Sequence, residues 1–206
     1  MSPRSFLSPQ SLCCVPKEFL VPPCPQDLRG QLHPIVLAEC PAIVPRCLWG
    51  GRPYRGTPSL LRPPLGSVFL HHTLEPARPC RSFGACASAM RDMQRFHQDT
   101  RGWDDIGYSF VVGSDGYLYE GYNTRGFGVG IVDDFMATLP DPDTLALVWD
   151  QLLPCTVHSG HVQPDFTLRG HHQLSHTDCP GNALFQEIQS CPEHEVRVVP
   201  AEQGGN

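Results

Sequence analysis

Proline divides this chain before any other signal is considered. Thirteen of its 22 prolines fall within residues 1–64, leaving nine for the remaining 142 positions. Each proline removes a backbone donor and biases the residue before it away from helix. Residues 1–38 are therefore expected to form an irregular or disordered arm, and 39–64 a proline-rich lead-in. The main domain is expected over 39–192, with 193–206 as a polar tail. No internal repeat is visible.

Beyond residue 64 the hydrophobic rhythm alternates between strand and helix. Ser67–His72 is a short β-prone run behind Pro63-Pro64-Leu65-Gly66. Phe83, Cys86, Ala87, Met90, Met93 and Phe96 then fall on one stripe of an amphipathic helix within 80–99. Ile106–Val112 and Tyr117–Glu120 flank Gly113-Ser114-Asp115-Gly116, which reads as a hairpin because Asp-Gly readily takes positive φ. Gly128–Val132 and Phe166–Leu168 are further strands. Asp141–Leu153 is a helix with acidic residues in its first turn, and Pro180–Gln189 a helix with proline at its first position. Interleaved elements of this kind predict an α/β fold, a mixed central sheet flanked by helices.

Charge and cysteine narrow the function. A net charge of −6 with a single lysine, Lys17, argues against a phosphate-binding nucleic-acid protein. No uncharged apolar run approaches the roughly 18 residues of a membrane-spanning helix. Ten cysteines, about 5% of the chain, point to oxidised folding with room for one metal thiolate. Met1–Pro25 nevertheless lacks the unbroken apolar core and cleavage pattern of a signal peptide.

Motifs of the common catalytic classes, GxSxG, HExxH, GxxxxGK[ST] and CxxC, are absent. Gly126-Phe127-Gly128-Val129-Gly130 lacks the last glycine of a dinucleotide loop and reads as a glycine-rich strand. Histidine is more informative. His71-His72 closes a strand, so one ring of the two faces any given site. His171-His172 follows another strand, and Cys179 lies at a helix start. Two imidazoles and a thiolate with an open fourth position make a catalytic zinc arrangement. A histidine of this kind is more often a surface or hydrogen-bonded residue than a ligand, a cysteine such as Cys179 taken alone is more often in a disulfide in such a chain, and His176 with Cys179 is an alternative ligand pair. A zinc nucleoside deaminase would need H-x-E and P-C-x-x-C, and neither occurs.

Val68–Thr73, Gln94–Asp99, Gly102-Trp103-Asp104-Asp105-Ile106-Gly107-Tyr108-Ser109-Phe110, Tyr119-Glu120-Gly121 and Gly170-His171 with Thr177-Asp178-Cys179-Pro180-Gly181 together resemble the peptidoglycan recognition proteins. These are animal relatives of the phage-type zinc amidases that cut N-acetylmuramoyl-L-alanine bonds. The resemblance covers about 39–190 and is closest to the secreted amidase branch. It implies Zn2+ on His71, His171 and Cys179, with Tyr108 and Thr177 catalytic. It implies a substrate groove lined by His72, Thr73, His97, Tyr108 and Asn123, and disulfides Cys40–Cys155 and Cys80–Cys86. Cys13, Cys14, Cys24, Cys47 and Cys191 are left without an assigned pairing. Bacterial peptidoglycan and muramyl peptides are the implied partners, with an extracellular, antibacterial role in innate immunity.

Two departures stand out. Between Gly121 and Arg125 only Tyr122-Asn123-Thr124 remain, where relatives carry a longer stretch with a groove loop and a further strand. A three-residue link can close a hairpin but cannot replace that wall, so the alternative is a peptidoglycan-binding module or inactive variant that keeps its metal. Gln189-Ser190-Cys191-Pro192 also lacks the tryptophan that relatives carry before that proline.

Overall fold

The computed structural model describes residues 40–57, 61–123 and 125–190. The expected arm and tail lie outside the described residues. Six strands form one mixed sheet in the order β1-β4-β3-β5-β2-β6. They are β1 (Ile43–Val44), β2 (Leu65–His72), β3 (Phe110–Val112), β4 (Leu118–Glu120), β5 (Phe127–Ile131) and β6 (Val162–Gly170). The β3/β4 pair is the antiparallel hairpin expected around Asp115-Gly116, and every other pairing is parallel.

Alternation of side chains across the strands sends the sheet's residues into two cores. Val68, Leu70, Phe110, Val112, Leu118, Val129 and Leu168 pack against Leu147, Val148, Leu152, Leu153, Leu184 and Ile188. These last come from the π-helical segment Leu147–Leu152, which continues α3 (Pro142–Ala146), and from α4 (Leu153–His158) and α5 (Asn182–Ser190). On the opposite face Val44, Val111 and Tyr119 meet Trp49 of α1 (Arg46–Trp49) and Cys86, Ala87, Met90 and Met93 of α2 (Phe83–Arg95). Ser82 caps α2, its hydroxyl accepting the Ala85 N–H, and Asp141 caps α3 by accepting from Thr144. Past Arg95 the helix widens through Phe96–Thr100, where the Arg101 N–H reaches Phe96 O.

Several boundaries differ from the sequence reading. The proline-rich lead-in contains β1 and α1, whose two and four residues carry too little periodicity to be read alone. The Phe166–Leu168 run extends into a nine-residue strand, and Ile106–Val112 shrinks to Phe110–Val112. Proline is not the first residue of α5, which starts two positions later at Asn182. Gly181 intervenes at φ 90°, where a Cβ would lie 2.3 Å from Phe135 O. The short link after β4 closes no hairpin, because β3 lies between β4 and β5. It crosses the start of β3 instead, with Gly121 N–H on Ser109 O and Ser109 Oγ accepting from Gly128 N–H.

The chain carries disulfides Cys40–Cys155 and Cys80–Cys86, and Cys47 is disulfide-bonded as well. Cys179 is the free cysteine among the described residues.

Candidate metal centre

Strand order makes the site. Because β2 and β6 are parallel neighbours, their C-terminal ends lie side by side, carrying His71 and, one residue past the strand, His171. The His172 N–H donates to Cys179 O at 2.7 Å, folding the 172–179 loop back so that Cys179 joins them. Ligand atoms of His71, His171 and Cys179 lie within 4.8 Å of one another, and Cys179 Sγ is 3.7 Å from His71 Nδ1. The His71 and His171 rings are 4.4 Å apart. His176 is exposed and outside this cluster.

The donor set suits a soft or borderline divalent cation. Burial, with the neighbouring His171, His72 and His97, holds the His71 pKa down at about 3. Burial lowers His171 too, helped by His172 and His72. Both rings therefore offer lone pairs at neutral pH. Burial pushes the Cys179 thiol up to about 12. A thiolate here requires compensating positive charge, which a bound cation supplies. Ser175 Oγ lies 3.0 Å from His171 Nε2 and fixes that ring; no spacing rule marks it in the sequence.

Tyr108 stands against the cluster, its ring 5.1 Å from His71 and edge-on. Burial, then Cys179, raises its pKa above the usual phenol range, so it remains a hydrogen-bond donor. Its place depends on glycine. A Cβ at Gly130 would lie 3.2 Å from the Tyr108 ring, and one at Gly128 would lie 3.4 Å from His71 Nε2. The alternate glycines of β5, read from sequence only as a glycine-rich strand, clear the face on which both rings sit.

The remaining expected residues divide. Asn123 lines a cavity of about 450 Å3 on one side of the cluster, with Tyr54, Phe69, Trp103 and Tyr122. Thr73, His97, Tyr108 and Thr177 line a larger one of about 810 Å3 along α2. His71 borders the first, Cys179 the second, and His171 and Trp103 both. His72 borders the larger cavity, but its ring accepts the Phe135 N–H and lies 3.5 Å from Asp134. Thr177 Oγ1 accepts the Cys179 N–H at 3.3 Å, so that hydroxyl shapes the cysteine loop. Sequence reasoning missed Trp103, which stacks on His97 at 4.6 Å while 47% exposed. A tryptophan set between Gly102 and the Asp104-Asp105 pair, four residues before Gly107, was the available signal.

A family model described as N-acetylmuramoyl-L-alanine amidase matches residues 62–182. The human protein named N-acetylmuramoyl-L-alanine amidase is 53% identical over 173 residues, covering 78% of this chain and 30% of its own length. The chain thus spans about a third of such mammalian relatives. Drosophila melanogaster peptidoglycan-recognition protein LB is 37% identical over 73% of this chain and 68% of its own length. Its solved structure superposes with a TM-score of 0.68 at 36% identity, over 74% of this chain and 95% of that one. Peptidoglycan recognition protein LE, solved with tracheal cytotoxin, a monomeric diaminopimelic acid-type peptidoglycan, gives 0.69 at 33%, over 77% and 96%.

Proposed function

Because the chain belongs to the N-acetylmuramoyl-L-alanine amidase family, we propose that His71, His171 and Cys179 hold a zinc ion and that the chain hydrolyses the amide between N-acetylmuramic acid and L-alanine in bacterial peptidoglycan. The convergence of two neutral imidazoles and a buried thiol within 4.8 Å carries this reading. Zinc in such a site supplies a water of near-neutral pKa and polarises a carbonyl. The rest falls to the protein. The protonated Tyr108 phenol donates to the scissile carbonyl as negative charge develops on its oxygen. Ser175 keeps the His171 ring in register, and Thr177 holds the loop that presents Cys179. His97, Thr73 and Asn123 line the cavities on either side, where an extended substrate would lie across the scissile bond; His72 contributes its backbone, since its ring is engaged elsewhere.

Residues 39–192 form the proposed functional domain. Its disulfides suit an oxidising extracellular setting, where an antibacterial role in innate immunity would operate. No helix among the described residues is long and apolar enough to cross a membrane. A second reading, recognition of muramyl peptide with hydrolysis reduced or lost, is favoured by the short link over Gly121–Arg125, which lines the smaller cavity through Tyr122, Asn123 and Arg125 but lacks the further strand that the family resemblance implies.

Elemental analysis and an amidase assay on muramyl peptide test both readings. One zinc per chain is expected, lost in Cys179→Ser together with hydrolysis. Zinc retained by that variant would overturn the ligand set. Zinc and muramyl-peptide binding without hydrolysis, with turnover recovered on lengthening the Gly121–Arg125 link, would establish the second reading.

A further inference from the structure

The loop that delivers Tyr108 to His71 is held from beneath by a buried ion pair. Asp105, three residues before Tyr108, has a side chain only 1% exposed. Its Oδ2 accepts from Arg46 Nη2 at 2.7 Å, and its Oδ1 accepts from Arg46 Nη1 at 3.3 Å, Gln94 Nε2 at 2.7 Å and the Ile106 N–H at 2.7 Å. Four donors from three separate segments therefore converge on one carboxylate. The forked Arg46 contact fixes its orientation as well as its charge.

Arg46 belongs to residues 46–55, which lie before the 62–182 family match. This strap is sewn to both sides of the loop. Arg52 N–H donates to Gln94 Oε1, and Arg55 N–H to Asp104 O. Gln98 Nε2 bridges Pro53 O and Asp104 O. Arg46 also donates its own N–H to Glu120 Oε2, at the end of β4. Beyond Asp105, the Gly107 N–H bonds His97 Nδ1 and Trp103 stacks on that imidazole.

We infer that Asp105, clamped by Arg46, is a positioning residue that sets the placement of Trp103 and Tyr108 at the metal cluster, so that the working site requires the strap at 46–55. Neither Asp105 nor Arg46 is among the cluster's ligands; they act through the loop. The kinetic part of this inference rests on the amidase reading, and the spectroscopic part does not.

The test uses the full chain labelled with 5-fluorotryptophan, whose three resonances (Trp49, Trp103 and Trp149) are assigned by single Trp→Phe variants. Asp105→Asn keeps the shape and one acceptor oxygen, so it guards against simple misfolding. It is expected to shift or broaden the Trp103 resonance and leave Trp149 in place, with zinc content unchanged. On muramyl peptide kcat is expected to fall roughly 10- to 100-fold with KM within about twofold, the loss expected when a catalytic group is slightly misplaced. Arg46→Gln is expected to reproduce that pattern and Arg46→Lys to restore it in part. An unmoved Trp103 resonance with unchanged kcat in Asp105→Asn overturns the inference, as does uniform movement of all three resonances with loss of zinc. If the wild-type chain has no amidase activity, the amidase reading fails by itself and the Trp103 resonance decides the inference.

Discussion

Tyr108 is the residue at which burial, charge and chemistry meet. A phenol held in protonated form by burial and by the nearby Cys179 is suited to donate and not to act as a base. Tyr108→Phe is therefore expected to keep its zinc and its fold while hydrolysis of muramyl peptide falls about 10²- to 10³-fold, the usual loss for one oxyanion donor. Turnover within a few-fold of wild type would remove Tyr108 from the mechanism. The two histidine pairs show how finely the backbone separates neighbours, the first on strand β2 and the second on the helical turn after β6. His71 faces the metal cluster, whereas the His72 ring lies against Phe135 N and Asp134. Likewise His171 joins the cluster, and the His172 ring packs 4.1 Å from Phe185. Alternation predicted that the first pair would split, but choosing the candidate ligand in either pair required the family resemblance.

Elements are locked together more strongly at the front of the domain than its proline content suggests. Cys40–Cys155 ties the segment before β1 to α4 across 115 residues, whereas Cys80–Cys86 spans only six. In the chain-entropy view, closing the long loop is worth about 5 kcal/mol and the short one about 2 kcal/mol. Replacing Cys40 and Cys155 together by serine is expected to lower unfolding stability by more than the same change at Cys80 and Cys86. Urea denaturation of the two double variants checks this, and the reverse order would reject it. The β4–β5 link is where reading by element failed. The three residues between Gly121 and Arg125 suit a hairpin by length, yet the full link is 121–126 and sheet order placed β3 between its ends. Pairing of β3 with both β4 and β5 is a long-range outcome that no local rule reports.

For the whole molecule, the acid response follows from buried imidazoles. Burial, then the charge of Arg101, lowers the His97 pKa to about 4. The unfolded chain takes up this proton near 6.5, while the folded chain refuses it until about 4. His97 therefore contributes stability that is present above about pH 6.5 and lost as pH falls toward about 4. His97→Gln is expected to flatten the dependence of Tm on pH across that window; an unchanged slope would count against the burial argument. A metal held on the proposed ligands would add to stability by mass action. Chelator is expected to lower the Tm of wild-type protein and leave that of Cys179→Ser unmoved, measurable by differential scanning calorimetry.

Local pattern was enough for the class of fold. Short apolar, β-prone runs marked β2, β3 and β5, the stripe from Phe83 to Phe96 marked α2, and Asp-Gly marked the antiparallel β3/β4 pairing, because these signals are written within one turn or one strand. Residue types and order also narrowed the candidate metal ligands to a few histidines and Cys179. Only the tertiary structure decided that β2 and β6 are neighbours, that a loop returns Cys179 beside them, and that glycines on β5 clear the space those rings occupy. Contacts between positions 71, 128, 130, 171 and 179 depend on strand order and on the volume left by absent side chains. Neither quantity is carried by any single stretch of chain.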